Sequence, residues 1–334
     1  MGGGYDMVIA VLALASATVG VQPWTETVVS VENIPAATRL FREAGGWTVR
    51  QRGTVDRAEI AYWKLPATVR GTFERLCAPK VETGCIRFVR WSGIEQRPIR
   101  RAARAWDTGG IYSVMVRSDN VPALYEQALK MGWWAESEPI RFKFGASDLR
   151  NVVLVGPHGI NLAVYERISP AFTGFPVGRI SQAFNSMRMV RSKPAARDFY
   201  GKTLGFWMAF DSTAAPKDRA RSNFGIPFNY TNVAWRNAAA LAPVEGEAGR
   251  VEVMQIDGFE GSDLSEFALP QNLGIVSVRF PVTGLAAYRA TLESKGVAVA
   301  YEGKGVPVAG LGQINLFAVL DPGGNISEFY EGTR

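Results

Sequence analysis

One histidine, His158, occurs in 334 residues. That count excludes any site needing two or three imidazoles from one chain, which covers most catalytic zinc and non-haem iron centres. No Gly-x-Ser-x-Gly elbow is present, and no Cys/His pair suited to a nucleophile dyad is evident. Gly303-Lys304-Gly305 and Gly310-Leu311-Gly312 are glycine-rich, but no helical pattern follows them. They therefore do not cradle a phosphate or dinucleotide, and they read as a loop before a strand at a cavity mouth. No nicotinamide, flavin or haem is expected. Two carboxylates hold more interest. A strand period of two puts Arg250, Glu252 and Met254 on one face, and Ile326, Glu328 and Tyr330 on one face.

Cys77 and Cys85 flank a stretch with turn residues between two β-prone runs. On a hairpin they would lie across from each other. A disulfide there would suit an oxidising compartment, and two half-buried free thiols are the alternative. Val8 to Val21 is an apolar, small-residue run too short to span a bilayer. With Ala15-Ser16-Ala17 it resembles a signal peptide, although its n-region carries Asp6 and no basic residue. Residues 1–23 thus read as a signal peptide or N-terminal extension, and a periplasmic or exported location is slightly favoured over the cytoplasm.

Length sets a prior of about two domains. A hydrophobic fraction of 47% with 20% charged residues marks an ordinary globular chain. The 37 basic and 31 acidic residues leave +6, too diffuse for the basic stripe that nucleic acid needs. Arg97, Arg100, Arg101 and Arg104 have the spacing of one helix face. They predict a solvated linker helix or, alternatively, a docking face for an acidic partner.

Internal repetition governs the architecture. Val28 to Trp47, Tyr112 to Trp133, Asn185 to Phe206 and Val276 to Val297 each run strand, turn, helix, glycine and new strand. Gly46, Gly132, Gly205 and Gly296 stand where a left-handed cap would end each helix. Further strand-like runs follow, so modules at 25–93, 108–168, 181–258 and 272–334 read as βαβββ. One such module cannot bury its sheet alone. An α+β fold with two paired domains, 24–167 and 179–334, is expected. The Pro- and Gly-rich linker from Ile168 to Gly178 would divide them. Hairpins close at Asp321-Pro322-Gly323-Gly324 and at Gly156-Pro157-His158-Gly159, which makes His158 an exposed turn residue.

The runs Ala196 to Phe206, Gly249 to Gly258 and Leu320 to Glu331 resemble the vicinal oxygen chelate superfamily of glyoxalase I, extradiol dioxygenases and bleomycin-resistance proteins. The resemblance implies paired half-barrels, each holding a cavity. It also implies metal ligands at a histidine early in a module's first strand and a glutamate in its last. Counting back from the helix-end glycines places Asn185 and Glu252 there in module 3, and Val276 and Glu328 in module 4. Glu26 and Phe88 fall there in module 1, and Tyr112 and Ala163 in module 2. No module keeps the histidine, so a two-His, one-carboxylate iron site cannot form.

On that pattern the first pair is a degenerate half. The second pair would aim Glu252 and Glu328 into one cavity beside Asn185. Three outcomes stay open. The carboxylates share a hard divalent cation of the Mg, Mn or Ca type with Asn185. They act without metal as acid and base, with one pKa raised. Or they pair with an inward arginine such as Arg250 and do no chemistry. Met187, Trp207, Tyr230, Trp235, Met254 and Tyr330 would line the pocket. The expected function is a lyase or isomerase acting on a small aromatic or hydrophobic molecule. The alternative is a ligand-sequestering protein of the bleomycin-resistance kind. A small-molecule ligand is expected as partner, no nucleic acid or membrane span, and a homodimer stays open.

Overall fold

A computed structural model describes residues 19–100, 102–214 and 218–333. Four βαβββ modules follow one another along it. Module 1 holds β1 (Gly20–Val21), β2 (Glu26–Ser30), α1 (Ile34–Glu43), β3 (Thr48–Thr54), α2 (Arg57–Tyr62), β4 (Arg70–Cys77) and β5 (Cys85–Ser92). Module 2 holds β6 (Ile111–Arg117), α3 (Val121–Lys130), β7 (Trp134–Ala135), β8 (Ile140–Phe144), β9 (Ser147–Val155) and β10 (Asn161–Ser169). Module 3 holds β11 (Asn185–Met189), α4 (Lys193–Asp198), β12 (Trp207–Ala214), β13 (Trp235–Ala242) and β14 (Arg250–Asp257). Module 4 holds β15 (Gly274–Thr283), α5 (Leu285–Ser294), β16 (Val299–Val308), β17 (Gly312–Leu320) and β18 (Ile326–Gly332).

The repeat has a local cause. Asn33, Asn120 and Ser192 accept the N–H of Ala36, Ala123 and Ala195, capping the first three module helices. A proline follows each cap in the first turn, where its missing N–H costs nothing. Gly46, Gly132, Gly205 and Gly296 adopt φ of 64, 83, 79 and 81°, which ends the helices as expected.

Pairing departs from expectation. One sheet runs β16-β17-β18-β15-β2-β5-β4-β3, the other β12-β13-β14-β11-β6-β10-β9-β7. Module 1 therefore pairs with module 4, and module 2 with module 3, not neighbour with neighbour as 24–167 and 179–334. The linker after Ile168 joins two modules of one sheet. The first strands meet antiparallel at each centre, β2 against β15 and β6 against β11. A module's periodicity fixes which face it buries but not which module completes its sheet. In this arrangement α1, α3 and α5, with Ala196 of α4, pack into one core shared by the helix-bearing faces of both sheets. Each opposite face curls around its own apolar cluster. Both half-barrels are completed within one chain.

Other expectations meet mixed outcomes. Cys77 and Cys85 form a disulfide across the β4–β5 hairpin. Among the described residues of 97–104 no helix forms. Arg100 is instead buried, and its guanidinium donates to the carbonyls of Arg104, Asp107 and Gly109, which fixes an irregular connection. Arg101 lies outside the described residues. Gly303 to Gly312 belongs to the β16–β17 hairpin and not to a loop before a strand. His158 sits in its turn at φ 60° but is half-buried, accepting the N–H of Asn33. Of the apolar N-terminal run, residues 1–18 lie outside the described residues, and Gly20–Val21 pairs with β15. Among the described residues no helix is long and apolar enough to cross a membrane.

Candidate functional site

The pairing separates the two carboxylates that the sequence reading brought together. Glu252 lies on β14 in the module 2–3 sheet, and Glu328 on β18 in the module 1–4 sheet. Register makes them equivalents. In parallel pairs, Met187 stands across from Glu252 and Arg279 across from Glu328. Two residues earlier on the same first strands are Asn185 and Ser277. The count back from Gly296 falls one residue short at Val276. The bulge between Ile275 and Ser277 precedes the counted stretch; module 3 reaches Gly205 one residue later through the π-helical turn Phe199–Thr203, which the helix of module 4 lacks.

In the module 1–4 half, Ser277 donates to one oxygen of Glu328, and Arg279 donates to the other at 3.0 Å. Arg279 also bonds Glu26 at 2.9 Å and Glu59 at 3.1 Å. Arg75 bonds Glu26, and Arg87 bonds Glu59, each at 2.8 Å. Three arginines meet three glutamates, all buried. Glu59 arrives on α2, whose Ile60, Tyr62 and adjoining Trp63 fill the concave face. Against the cost of burial, Arg279, Arg87 and Arg75 hold Glu26 below the usual carboxylate range. Burial pushes Glu328 up, opposed by Arg279 and Ser277. The half is plugged and charge-balanced, so Glu328 is no cavity acid. Tyr330 lies in this half too, bonded to Thr25, and is no neighbour of Glu252. Phe88 faces the shared core, and Arg87 takes the inward place.

The module 2–3 half is built differently. Asn185 Nδ2 donates to Glu252 Oε2 at 3.0 Å, and Glu252 has no salt bridge among the described residues. Glu252 is 9% exposed, and burial pushes its pKa up to about 7, moderated by Asn185 and Arg250. Arg250 is not its ion-pair partner; its guanidinium donates to the carbonyl of Gly246. The carboxamide of Asn185 suits either protonation state of Glu252. Turned over, its carbonyl accepts the proton that a neutral Glu252 donates. Its Oδ1 is buried without a partner, as is the Oγ of Ser113, which stands across from Met187. Met115, Met187, Met189, Met254, Tyr112, Ala163 and Ala238 share this face, with Tyr165 packed against them. Burial raises the phenol pKa of both tyrosines, and Glu252 reinforces this at Tyr165.

A long β12–β13 connection covers the site. Phe224 and Ile226 from it, Phe175 from the linker and Trp106 from the 97–108 segment pack onto the concave cluster. Asn223 bonds the buried Asn151, and Arg221 meets Glu138 at 2.7 Å.

Met187 and Met254 thus lie beside Glu252 as expected. Trp207, Tyr230 and Trp235 are instead 37, 47 and 48% exposed. Trp235 alternates with Arg236 and so faces outward, which the period could have shown had the strand start been known. The sequence reading missed Ser113, Met115, Tyr165 and Arg236. Each stands at an inward register position that only the module 2–3 pairing reveals.

Neither a protein-family model nor a curated protein sequence matches the chain. Solved structures do. Glyoxalase I from Zea mays is 13% identical with a TM-score of 0.62, covering 94% of this chain and 93% of that one. A point variant of the same enzyme gives 14% and 0.62, covering 94% and 93%. A protein described as a putative dioxygenase from Bacillus subtilis is 10% identical with a TM-score of 0.54, covering 94% and 86%. At these identities the likeness is one of fold.

Proposed function

Taking the chain to have the vicinal oxygen chelate fold, we propose that it is a lyase or isomerase that moves a proton on a small aromatic or hydrophobic molecule in the module 2–3 half. The observation supporting this is Glu252, a buried carboxyl without a counter-ion whose pKa is about 7. Near neutral pH both of its forms are populated, as an acid–base group requires. As carboxylate it takes a proton from a carbon next to an electron-withdrawing group. As acid it returns that proton to a neighbouring atom, or to a leaving group in an elimination. Asn185 holds the carboxyl in place through either state. The Ser113 hydroxyl and the protonated phenols of Tyr112 and Tyr165 supply donors for the oxygen on which charge develops.

The donors do not fit a hard divalent cation. Glu252, Asn185 and Ser113 offer one carboxylate and two neutral oxygens, and Met115, Ala163 and Met187 hold the other inward positions. Among the described residues no three His, Cys, Asp or Glu side chains cluster to hold a metal. The proposed chemistry also uses no nicotinamide, flavin or haem. The ligand would enter as Phe224 and Ile226 swing out with their loop. The Cys77–Cys85 bond supports an oxidising, exported or periplasmic setting.

The test is proton exchange. A panel of aromatic carbonyl compounds in D2O, followed by NMR, should show α-proton washout that Glu252→Gln slows by about 10²–10⁴-fold. Washout equal in that variant would overturn the assignment. Binding without any exchange would favour the second reading, a sequestering protein, which the single carboxyl at the centre of the face also supports.

A further inference from the structure

We propose that the ligand of the module 2–3 half is an anion, an apolar or aromatic body carrying a carboxylate or similar group, and that Arg236 is the residue that binds it. This inference rests on the reading of that half as a small-molecule site and names its substrate class.

Arg236 lies on β13 two residues before Ala238 and across from Ile256, both members of the concave cluster. The two-residue period sends its side chain to the Glu252 face. Ala240, two further on, stands directly across from Glu252. Arg236 is half-buried, and its side chain has no hydrogen bond or salt bridge among the described residues. The ionisable group it senses electrostatically is the Tyr165 phenol, on β10 in the opposite wall of the half-barrel, which senses Glu252 as well. Arg236, Tyr165 and Glu252 therefore belong to one concave face.

Charge bookkeeping points the same way. On this face Arg117 and Arg167 share one acid, Glu247. Arg250 is bonded to a carbonyl, and Arg236 to nothing described. Four arginines answer to two glutamates, one of them half-protonated near neutral pH. The module 1–4 half balances three against three. Burial disfavours the charged form of Arg236. A half-buried guanidinium without a partner is costly, and a planar fork of donors matches a carboxylate in two parallel bonds. The surroundings of methionine and aromatic side chains suit the apolar body of such a ligand.

A matched pair of probes tests this: 2-naphthoate and the neutral 2-naphthylmethanol, titrated calorimetrically into the full chain, wild type and Arg236→Gln. The wild type should bind the carboxylate about 10–100-fold more tightly than the alcohol, the range for a charge-assisted hydrogen bond. Arg236→Gln should abolish that preference and leave alcohol affinity within about two-fold. Arg236→Lys should restore part of it, which a merely structural role would not do. Equal affinities in the wild type, or a preference that survives Arg236→Gln, overturn the assignment to Arg236 while the site itself stands. Failure of both probes to bind the wild type overturns the small-molecule reading, and this inference with it.

Discussion

The two half-barrels share one register and differ in what occupies it. Glu328 and Glu252 sit at the same place, and each accepts a hydrogen bond from the residue two before its partner position, Ser277 or Asn185. Where one half has Arg279, the other has Met187. Where one has Glu26 and Arg87, the other has Ser113 and Ala163. A buried carboxylate needs a counter-ion, a metal or a proton. Glu328 has the first, and Glu252 is left with the last. The covers differ in kind as well. Helix α2 brings an acid, Glu59, that completes a network. The β12–β13 connection brings aromatic and aliphatic side chains and few tethers.

The largest effect should come from removing the arginine at the centre of the balanced half. Arg279→Met leaves Glu26, Glu59 and Glu328 short of one charge in a buried network, at a cost of about 3–5 kcal/mol. Urea unfolding measures it. A loss below about 1 kcal/mol would show that the network is wet or already protonated, and the contrast between the halves would dissolve.

Next comes pH. The folded-state pKa of Glu252 is about 7 against an unperturbed 4.5, so the folded chain keeps a proton that the unfolded chain releases. Its contribution is complete below the unfolded value and is lost as pH rises to about 7. At about 1.4 kcal/mol per unit this amounts to about 3 kcal/mol. Stability of the wild type minus that of Glu252→Gln should therefore fall across this window. His158, lowered by burial, contributes with the opposite sign in both proteins and cancels in the difference. A flat difference would place Glu252 in contact with water.

The repeat pattern makes clear why so much of the fold was legible and so little of the site. Caps, prolines and helix-end glycines are local, and they recur at Asn33, Asn120 and Ser192 whatever lies across from them. Glu252 and Asn185 belong to one module, so their proximity survived the wrong choice of partner. Glu328 and Tyr330 did not survive it, because which modules share a sheet is decided by contacts between residues far apart in the chain, such as Arg279 with Glu26 across 253 residues. Ser113, Tyr165 and Arg236 come from the walls of the half-barrel and carry no motif of their own. The arginine run at 97–104 shows a different failure. Helical spacing predicted a helix, but Arg100 satisfies three carbonyls of an irregular chain instead.

Exchanging the decisive residue sharpens the comparison. Met187→Arg places a guanidinium beside Glu252 as Arg279 stands beside Glu328. The titration midpoint of Glu252, read from its carboxyl carbon by NMR, should drop by about 1–3 units. Proton exchange on any substrate should weaken with it near neutral pH. An unmoved midpoint would mean that the two registers are not equivalent.

The smallest effect should be at the covers. Asn223→Ala removes a tether between the β12–β13 connection and the sheet, worth about 1 kcal/mol. That should raise local opening about five-fold, seen as faster hydrogen exchange across residues 218–234. The global unfolding midpoint should scarcely move, because the segment opens without the core. The matching change under the other cover, Ile60→Ala in α2, removes a fully packed side chain. It should lower global stability by about 2–5 kcal/mol with no selective opening. If Asn223→Ala instead lowers global stability as much as Ile60→Ala does, the connection is a second plug. Entry to Glu252 would then require unfolding, which no site with turnover could tolerate.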